Sequence, residues 1–283
     1  MEESHNPMKS FKVGDALVGG DRLFFIGGPC VLESKELGLR IARFLKDLCR
    51  DLDVPYIFKS SYDKANRTSV SAYRGPGPER GLRELREIRE EAGVAVLTDV
   101  HDVEQARQAA RFVDVLQVPA FLARQTDLLR AVGETGKPVN VKKAQFLAPW
   151  DMARVVEKIR ATGNDRILVT ERGTQFGYNN LVVDMRSIPL LAQLGYPVVF
   201  DATHSVQLPG GQGSRSGGQR EFAAPLACAA VAAGACGVFC EVHENPDEAL
   251  CDGPNSLPLE EARPLLTRLL AIHRAVRSSS VTP

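Results

Sequence analysis

The sequence lacks the features that mark several classes of protein. No apolar run approaches the ~20 residues that cross a bilayer, and the first ten residues contain no hydrophobic stretch typical of a secretory signal peptide. The 35 basic and 35 acidic residues cancel. This balance argues against bulk nucleic-acid binding and against electrostatic attachment to a membrane. We therefore expect a cytoplasmic protein that binds neither nucleic acid nor membrane.

Paired cysteines and repeats are also missing. The six cysteines have no C-x-x-C spacing and stand at positions 30, 49, 228, 236, 240 and 251. This distribution favours a reducing compartment in which most thiols are structural. Neither an internal sequence repeat nor a low-complexity segment is present.

What the chain does contain is a regular alternation of short apolar segments and longer amphipathic ones. The predicted strands are Leu23–Gly28, Tyr56–Lys59, Ala95–Val100, Val115–Val118, Val139–Lys142, Arg166–Thr170, Pro197–Phe200 and Gly237–Glu241. Eight strand-then-helix units predict a (β/α)8 TIM barrel, which commonly takes about 250 residues as one domain. The alternative is a doubly wound open sheet, but no G-x-G-x-x-G follows the first strand.

The remaining segments are assigned around this barrel. Phe11–Gly20 alternates in polarity about a central Gly-Asp, which predicts a small N-terminal β-hairpin. Asn180–Leu194 is predicted as a helix with a break at Pro189. We treat residues 1–283 as a single domain, with 1–10 and 277–283 as loose tails. Residues 205–218 form a long glycine-rich loop, either a lid over substrate or a disordered loop.

Polar residues follow every predicted strand, and in a parallel barrel all of these strand ends share one face. The segment Phe58–Ser69 (FKSSYDKANRTS) crowds cations and hydroxyls directly after the second strand. Further cations follow later strands. The cationic set is Lys59, Lys64, Arg67, Arg124, Lys142 and Arg172. So many cations on one face indicate a ligand with phosphates or carboxylates, although a solvated loop is the alternative for Phe58–Ser69 alone.

A second set of residues can bind a metal. Cys30, His204, Glu241 and Asp252 follow strands one, seven and eight, which become neighbours when a barrel closes. A thiolate, an imidazole and two carboxylates can hold a divalent transition metal. Each residue also has a structural interpretation: a small core thiol for Cys30, a hydrogen-bonded imidazole for His204, and an ion-pair partner for Glu241.

Eight motifs in the chain resemble the 3-deoxy-D-manno-octulosonate 8-phosphate synthase family. They are GGPCVLES, FKSSYDKANRTS, TDVHD, LQVPAFLARQTDLL, VNVKKAQF, TERGTQFGYNNLVVDM, DATHSVQLPGG and EVHENPDEALCDGPNSLPL. The similarity extends from about Phe11 to Leu270. It implies a (β/α)8 barrel, usually a homotetramer, that acts as a transferase. The implied reaction joins phosphoenolpyruvate to D-arabinose 5-phosphate and releases inorganic phosphate, for lipopolysaccharide synthesis.

The resemblance also implies roles for individual residues. The phosphoenolpyruvate pocket corresponds to Lys64, Gln117, Pro119, Ala120, Lys142 and Arg172. The arabinose 5-phosphate pocket corresponds to Lys59, Ser61, Asn66, Arg67 and Thr68, with Arg124 reaching the sugar phosphate from an adjacent subunit. We add Asp99 and Gln207 to the substrate-binding residues. The expected catalytic residues are Lys64, Lys142, His204 and Asp252.

Cys30 indicates which class of the family this is. The metal-independent class carries Asn at this position, whereas the other three ligands occur in both classes. The expected metal ligands are therefore Cys30, His204, Glu241 and Asp252, and the metal is Zn, Fe, Mn or Co. Two departures from the family pattern are visible. Thr68 replaces a common Ser and keeps its hydroxyl, and Val242 replaces a common Thr and should point away from the site.

Three other functions compete with this one. The related heptulosonate-phosphate synthase uses erythrose 4-phosphate and usually shows K-P-R-T-S where this chain has KANRTS. A Schiff-base aldolase would use Lys142 as its nucleophile. A non-catalytic sugar-phosphate-binding barrel would bind the sugar without releasing phosphate from phosphoenolpyruvate.

Overall fold

A computed structural model describes residues 8–211 and 216–278 of the chain. Its centre is a closed barrel of eight parallel strands, as the sequence predicts. The strands are Phe24–Gly28, Tyr56–Lys59, Ala95–Asp99, Val115–Val118, Val139–Lys142, Ile167–Glu171, Val198–Asp201 and Gly237–His243. Each strand pairs in parallel with the next, and Val198–Asp201 pairs with Gly237–His243. Gly237–His243 also pairs with Phe24–Gly28, which closes the barrel.

Helices follow the strands and form the outer layer. The α-helices are Lys35–Asp51, Pro78–Ala92, Val103–Ala109, Thr126–Glu134, Met152–Arg160, Ser187–Ala192, Ala223–Ala232 and Ala262–Ser278. The first helix begins at Lys35, because the preceding Ser34 side chain accepts a hydrogen bond from the Leu37 backbone N–H at 3.2 Å. Asp102 caps the third helix in the same way, through Gln105 N at 2.8 Å.

The core has two main parts and a small third cluster, which consists of Cys30, Val31 and Cys251. The larger lies between the barrel and the helices and includes Leu45, Phe58 and Val242. The smaller fills the inside of the barrel with Phe24, Ile26 and other inward-facing strand residues. Because successive side chains of a strand face opposite sides, seven of the eight strands supply both parts, whereas Val139–Lys142 contributes only to the larger one.

The predicted N-terminal hairpin is confirmed. Phe11–Val13 pairs antiparallel with Ala16–Val18, and its residues Val13 and Val18 pack against the smaller core inside the barrel. Lys9, which we placed in a loose tail, donates its backbone N–H to Gly195 O at 3.0 Å. At the other end, residues 277 and 278 belong to the last helix. Residues 1–7 and 279–283 lie outside the described part of the chain.

The prediction for residues 180–194 was wrong in its first half. Leu181–Val182 pairs antiparallel with Thr174–Gln175, and Asn179 at the turn has a φ of +54°. The local hairpin satisfies the backbone there, so the helix begins only at Ser187. Pro189 lies in its first turn, where a missing backbone N–H costs little.

The glycine-rich loop that we considered as a lid is partly described. Gln207–Leu208 pairs antiparallel with Gly217–Gly218 at the base of the loop, whereas residues 212–215 lie outside the described ranges. Within those ranges, the helices are all too short or too polar to cross a membrane.

Candidate active site

The carboxyl ends of the strands surround one cavity of about 600 Å³. Most of the predicted site residues line it: Lys59, Lys64, Asn66, Arg67, Thr68, Asp99, Gln117, Pro119, Ala120, Lys142, Arg172, His204, Gln207 and Asp252. Ser61, Cys30 and Glu241 are buried and contact residues that line the cavity. Arg124 is the exception, since its side chain is exposed and it does not line the cavity.

A glycine allows the first two strands to approach closely at this end. A Cβ on Gly28 would lie 2.0 Å from the Lys59 carbonyl oxygen, so no larger residue fits without displacing the backbone. This contact brings Cys30, two residues after Gly28, next to Lys59. The Lys59 Nζ donates to the Cys30 carbonyl oxygen at 2.9 Å.

Glu241 is the centre of a buried charged cluster beside the cavity. Its Oε1 accepts a hydrogen bond from Lys59 Nζ at 2.9 Å and lies 3.7 Å from Lys64 Nζ. Burial alone would raise the pKa of Glu241, but the charges of Lys59, His204 and Lys64 outweigh burial and hold that pKa well below its usual range. Glu241 is therefore a carboxylate at neutral pH.

The four predicted metal ligands converge. His204 Nε2 lies 3.6 Å from Glu241 Oε1 and 3.8 Å from Asp252 Oδ2, and Cys30 Sγ lies 3.6 Å from the same Asp252 oxygen. Asp252 thus joins two groups of possible ligands, one with His204 and Glu241 and the other with Cys30 and Cys251. The donors combine sulfur, nitrogen and oxygen, a set that suits a divalent transition metal.

Comparison with known proteins identifies the family. The match to the family described as DAHP synthetase I extends over residues 6–273. The chain belongs to the DAHP synthetase I family. A protein of Syntrophobacter fumaroxidans named 2-dehydro-3-deoxyphosphooctonate aldolase is 68% identical over 272 residues, which are 96% of this chain and 94% of that protein. Proteins with the same name from Trichlorobacter lovleyi and Geobacter sulfurreducens are 61% and 56% identical over 270 residues, 95% of this chain and 99% of each relative.

In this member of the DAHP synthetase I family, Lys142 and Asp201 form a buried ion pair beside the ligand cluster. Burial lowers the pKa of Lys142 to about 8, against the opposing attraction of Asp201. The ammonium group also lies 3.3 Å from the centroid of the Phe239 ring. Lys142 is consequently easier to deprotonate than an exposed lysine.

At the end of the third strand, Asp99 organises the segment after the second strand. It accepts a hydrogen bond from Ser61 Oγ, and its Oδ2 lies 3.1 Å from His101 Nε2. Burial would raise the pKa of Asp99, but the hydrogen bond to His101 and the charges of Lys64 and Lys59 hold that pKa far below its usual range. Ser61 therefore acts as a support for Asp99 and is itself fully buried.

Arg172 and Gln207 are also brought together. Arg172 Nη2 donates to Gln207 Oε1 at 3.0 Å and to the His204 carbonyl oxygen at 3.3 Å. This contact connects the end of the sixth strand to the base of the glycine-rich loop. Val242, in contrast, packs in the core between barrel and helices, which confirms that it points away from the site.

Sequence reasoning missed Cys251. Its sulfur lies 2.9 Å from Cys30 Sγ and accepts a hydrogen bond from Arg67 Nη1 at 2.6 Å. Its position next to the predicted ligand Asp252 was the available signal. Burial raises the pKa of Cys30 well above its ordinary value, and the nearby Cys251 thiol and Glu241 carboxylate raise it further. A bound cation would be needed to deprotonate Cys30 near neutral pH.

Proposed function

We propose that this chain condenses phosphoenolpyruvate with D-arabinose 5-phosphate and water, giving 3-deoxy-D-manno-octulosonate 8-phosphate and inorganic phosphate. The observation that carries the proposal is one cavity that combines a cationic lining with a transition-metal ligand set. The name shared by the relatives at 68%, 61% and 56% identity agrees with it. Both substrates are anionic, so a cationic cavity supplies binding energy and positions them side by side.

The phosphoenolpyruvate half of the site is assigned to Lys64, Lys142 and Arg172, with Gln117 and the Pro119–Ala120 backbone beside them. The cations would neutralise the phosphate and carboxylate of phosphoenolpyruvate. Carbon 3 of phosphoenolpyruvate then attacks the sugar aldehyde, water adds at carbon 2, and phosphate leaves by cleavage of its C–O bond. Gln117 has limited freedom, because its Oε1 accepts a hydrogen bond from Asn140 Nδ2 at 2.9 Å.

The sugar half of the site is assigned to Lys59, Asn66, Arg67 and Thr68, supported by Ser61 through Asp99. Arg67 lines the cavity, and its Nη1 lies 3.9 Å from Asp252 Oδ1. A guanidinium at this position can bind a phosphate through two hydrogen bonds.

A divalent metal is proposed at Cys30, His204, Glu241 and Asp252. Glu241 Oε2 supports this assignment, because it is buried and has no hydrogen-bond partner among the described residues. The metal, when bound, would act as a Lewis acid toward the sugar aldehyde. Measuring arabinose 5-phosphate affinity with and without metal, separately from turnover, tests that role; equal affinities would contradict it.

Phosphate release with two sugars tests the substrate. We expect rapid release from phosphoenolpyruvate with arabinose 5-phosphate and little with erythrose 4-phosphate, because Lys64-Ala65-Asn66-Arg67 stands where the heptulosonate enzymes usually carry K-P-R. A preference for erythrose 4-phosphate would assign the heptulosonate reaction instead. Sugar binding without phosphate release from phosphoenolpyruvate would indicate a non-catalytic barrel.

Self-association is proposed from the carboxyl face of the barrel. Large apolar side chains are exposed in the loops after three consecutive strands: Phe121, Phe146, Trp150, Phe176 and Tyr178. Arg124 follows Phe121 on the same face and is itself exposed. Exposed apolar surface of this kind marks protein interfaces. We propose a homotetramer in which Arg124 reaches the sugar phosphate of a neighbouring subunit.

Replacement of Arg124 tests the shared site. In Arg124→Ala, we expect the KM for arabinose 5-phosphate to rise about 10- to 100-fold, the effect of losing one charged hydrogen bond to phosphate. The KM for phosphoenolpyruvate should change little. Light scattering of the wild type should give about four times the 30.8 kDa chain mass. A 30.8 kDa particle with full activity would contradict both statements.

The proposed reaction would occur in the cytoplasm as a step of lipopolysaccharide synthesis. Cell fractionation that recovers the protein and its activity outside the cytoplasm would contradict this location.

A further inference from the structure

Asp201 has no role in the assignments above, although it contacts both Lys142 and the metal-ligand candidate His204. It ends the seventh strand and is fully buried. Both of its carboxylate oxygens are engaged. Oδ1 accepts from the His204 backbone N–H at 2.9 Å and from Thr203 Oγ1 at 3.3 Å, whereas Oδ2 accepts from Lys142 Nζ.

The same Oδ2 also lies 2.8 Å from His204 Nδ1. The other ring nitrogen, Nε2, faces Glu241 and Asp252 at 3.6 and 3.8 Å. The two sides of the imidazole are therefore distinguished, one toward the Asp201 carboxylate and the other toward the ligand cluster. Among the described residues Nδ1 has no hydrogen bond in this ring orientation, and at 2.8 Å a rotation of the ring would let Asp201 accept its proton. The Phe239 ring, with its centroid 5.9 Å from that of His204, packs against the imidazole.

We propose that Asp201 is a positioning residue that keeps the proton of His204 on Nδ1 and leaves Nε2 free for the metal. A carboxylate in this position fixes both the tautomer and the ring orientation of a ligating histidine and increases its basicity. Lys142, the cation assigned to phosphoenolpyruvate, pairs with the same carboxylate. Asp201 therefore also fixes the position of Lys142 relative to the metal site. This inference rests on the metal site proposed above.

Zinc affinity of the full-length chain tests the proposal. Asp201→Asn keeps the shape of the side chain but removes its charge, and we expect zinc to bind about 10- to 100-fold more weakly, as measured by competition with a chromophoric chelator. Phosphoenolpyruvate affinity, measured by calorimetry, should fall in the same variant. The matched control is Asp165→Asn. This carboxylate pairs with Lys9 and Tyr196 instead of the site, and its loss should leave zinc affinity unchanged.

The outcomes separate this inference from the metal site itself. Wild-type zinc affinity in Asp201→Asn would overturn the inference and leave the metal site standing. Failure of the wild type to bind zinc would overturn both. If Asp201→Asn does not fold, nitrogen-15 NMR of histidine in zinc-loaded wild type decides the point. A protonated Nδ1 at His204 supports the inference, and zinc bound through Nδ1 overturns it.

Discussion

Exhaustive chelation is expected to abolish phosphate release from phosphoenolpyruvate and arabinose 5-phosphate, and a divalent transition metal is expected to restore it. The reason is the donor set at the barrel mouth, where Asp252 connects Cys30 with His204 and Glu241. Without a cation, the Cys30 thiol stays protonated, since its pKa is well above the ordinary value. Activity should be assayed after dialysis against a strong chelator and then during titration with Zn²⁺, Fe²⁺, Mn²⁺ and Co²⁺.

The control for this experiment is a measurement that the fold survives chelation. Circular dichroism before and after chelation should be unchanged, because the barrel core of Phe24, Ile26 and their neighbours does not depend on the cluster. Full activity of the protein after chelation, with no residual metal, would contradict the assignment of Cys30 as a ligand.

A variant at Cys30 extends the same prediction. Cys30→Asn introduces the residue of the metal-independent class, and we expect this variant to release phosphate in the presence of chelator. An amide can hydrogen bond to Asp252, which lies 3.6 Å from the present sulfur. Cys30→Ala, which has neither thiol nor amide, is the matched control and should be inactive under both conditions. A folded but inactive Cys30→Asn would reject the hypothesis.

The barrel could be predicted from sequence because its signals are local and repeated. A fully buried parallel strand needs a continuous apolar run, and an amphipathic helix needs its own spacing, so each unit such as Phe24–Gly28 followed by Lys35–Asp51 is visible alone. Counting eight of them then predicts closure. The helix prediction failed for the segment before Ser187, because antiparallel pairing with Thr174–Gln175 overrides the helical spacing of its side chains.

The site could be predicted only as far as strand ends and motifs allow. Parallel strands bring their carboxyl ends together, which accounts for Lys59, Lys142 and Glu241 in one cavity region. Contacts between side chains of different strands have no local signal. The 2.9 Å approach of Cys251 to Cys30, and the shared contact of Asp201 with Lys142 and His204, depend on tertiary geometry alone.

Replacing Lys142 by methionine is expected to lower turnover by a factor of about 10²–10³, the usual effect of removing one group that stabilises developing charge in a transition state. Methionine keeps much of the length and packing of the lysine stem but leaves Asp201 without its cation. The KM for phosphoenolpyruvate should rise, whereas that for arabinose 5-phosphate should change less. Steady-state kinetics with each substrate varied in turn measures both effects, and Lys12→Met, an exposed lysine of the N-terminal hairpin, is the control.

The pH profile gives the same residue a second test. Burial favours the neutral amine, so free enzyme should lose the Lys142 proton as the pH rises through about 8, well below the range of an exposed lysine. Because the ammonium form binds the anionic substrate, kcat/KM for phosphoenolpyruvate should fall above that pH in the wild type and should lack this limb in Lys142→Met. A limb that persists in the variant would assign the titration to another group.

Borohydride tests the competing Schiff-base mechanism at the same residue. A Schiff base forms from the neutral amine, which burial of Lys142 favours. Inactivation by borohydride only when substrate is present would make Lys142 a Schiff-base nucleophile.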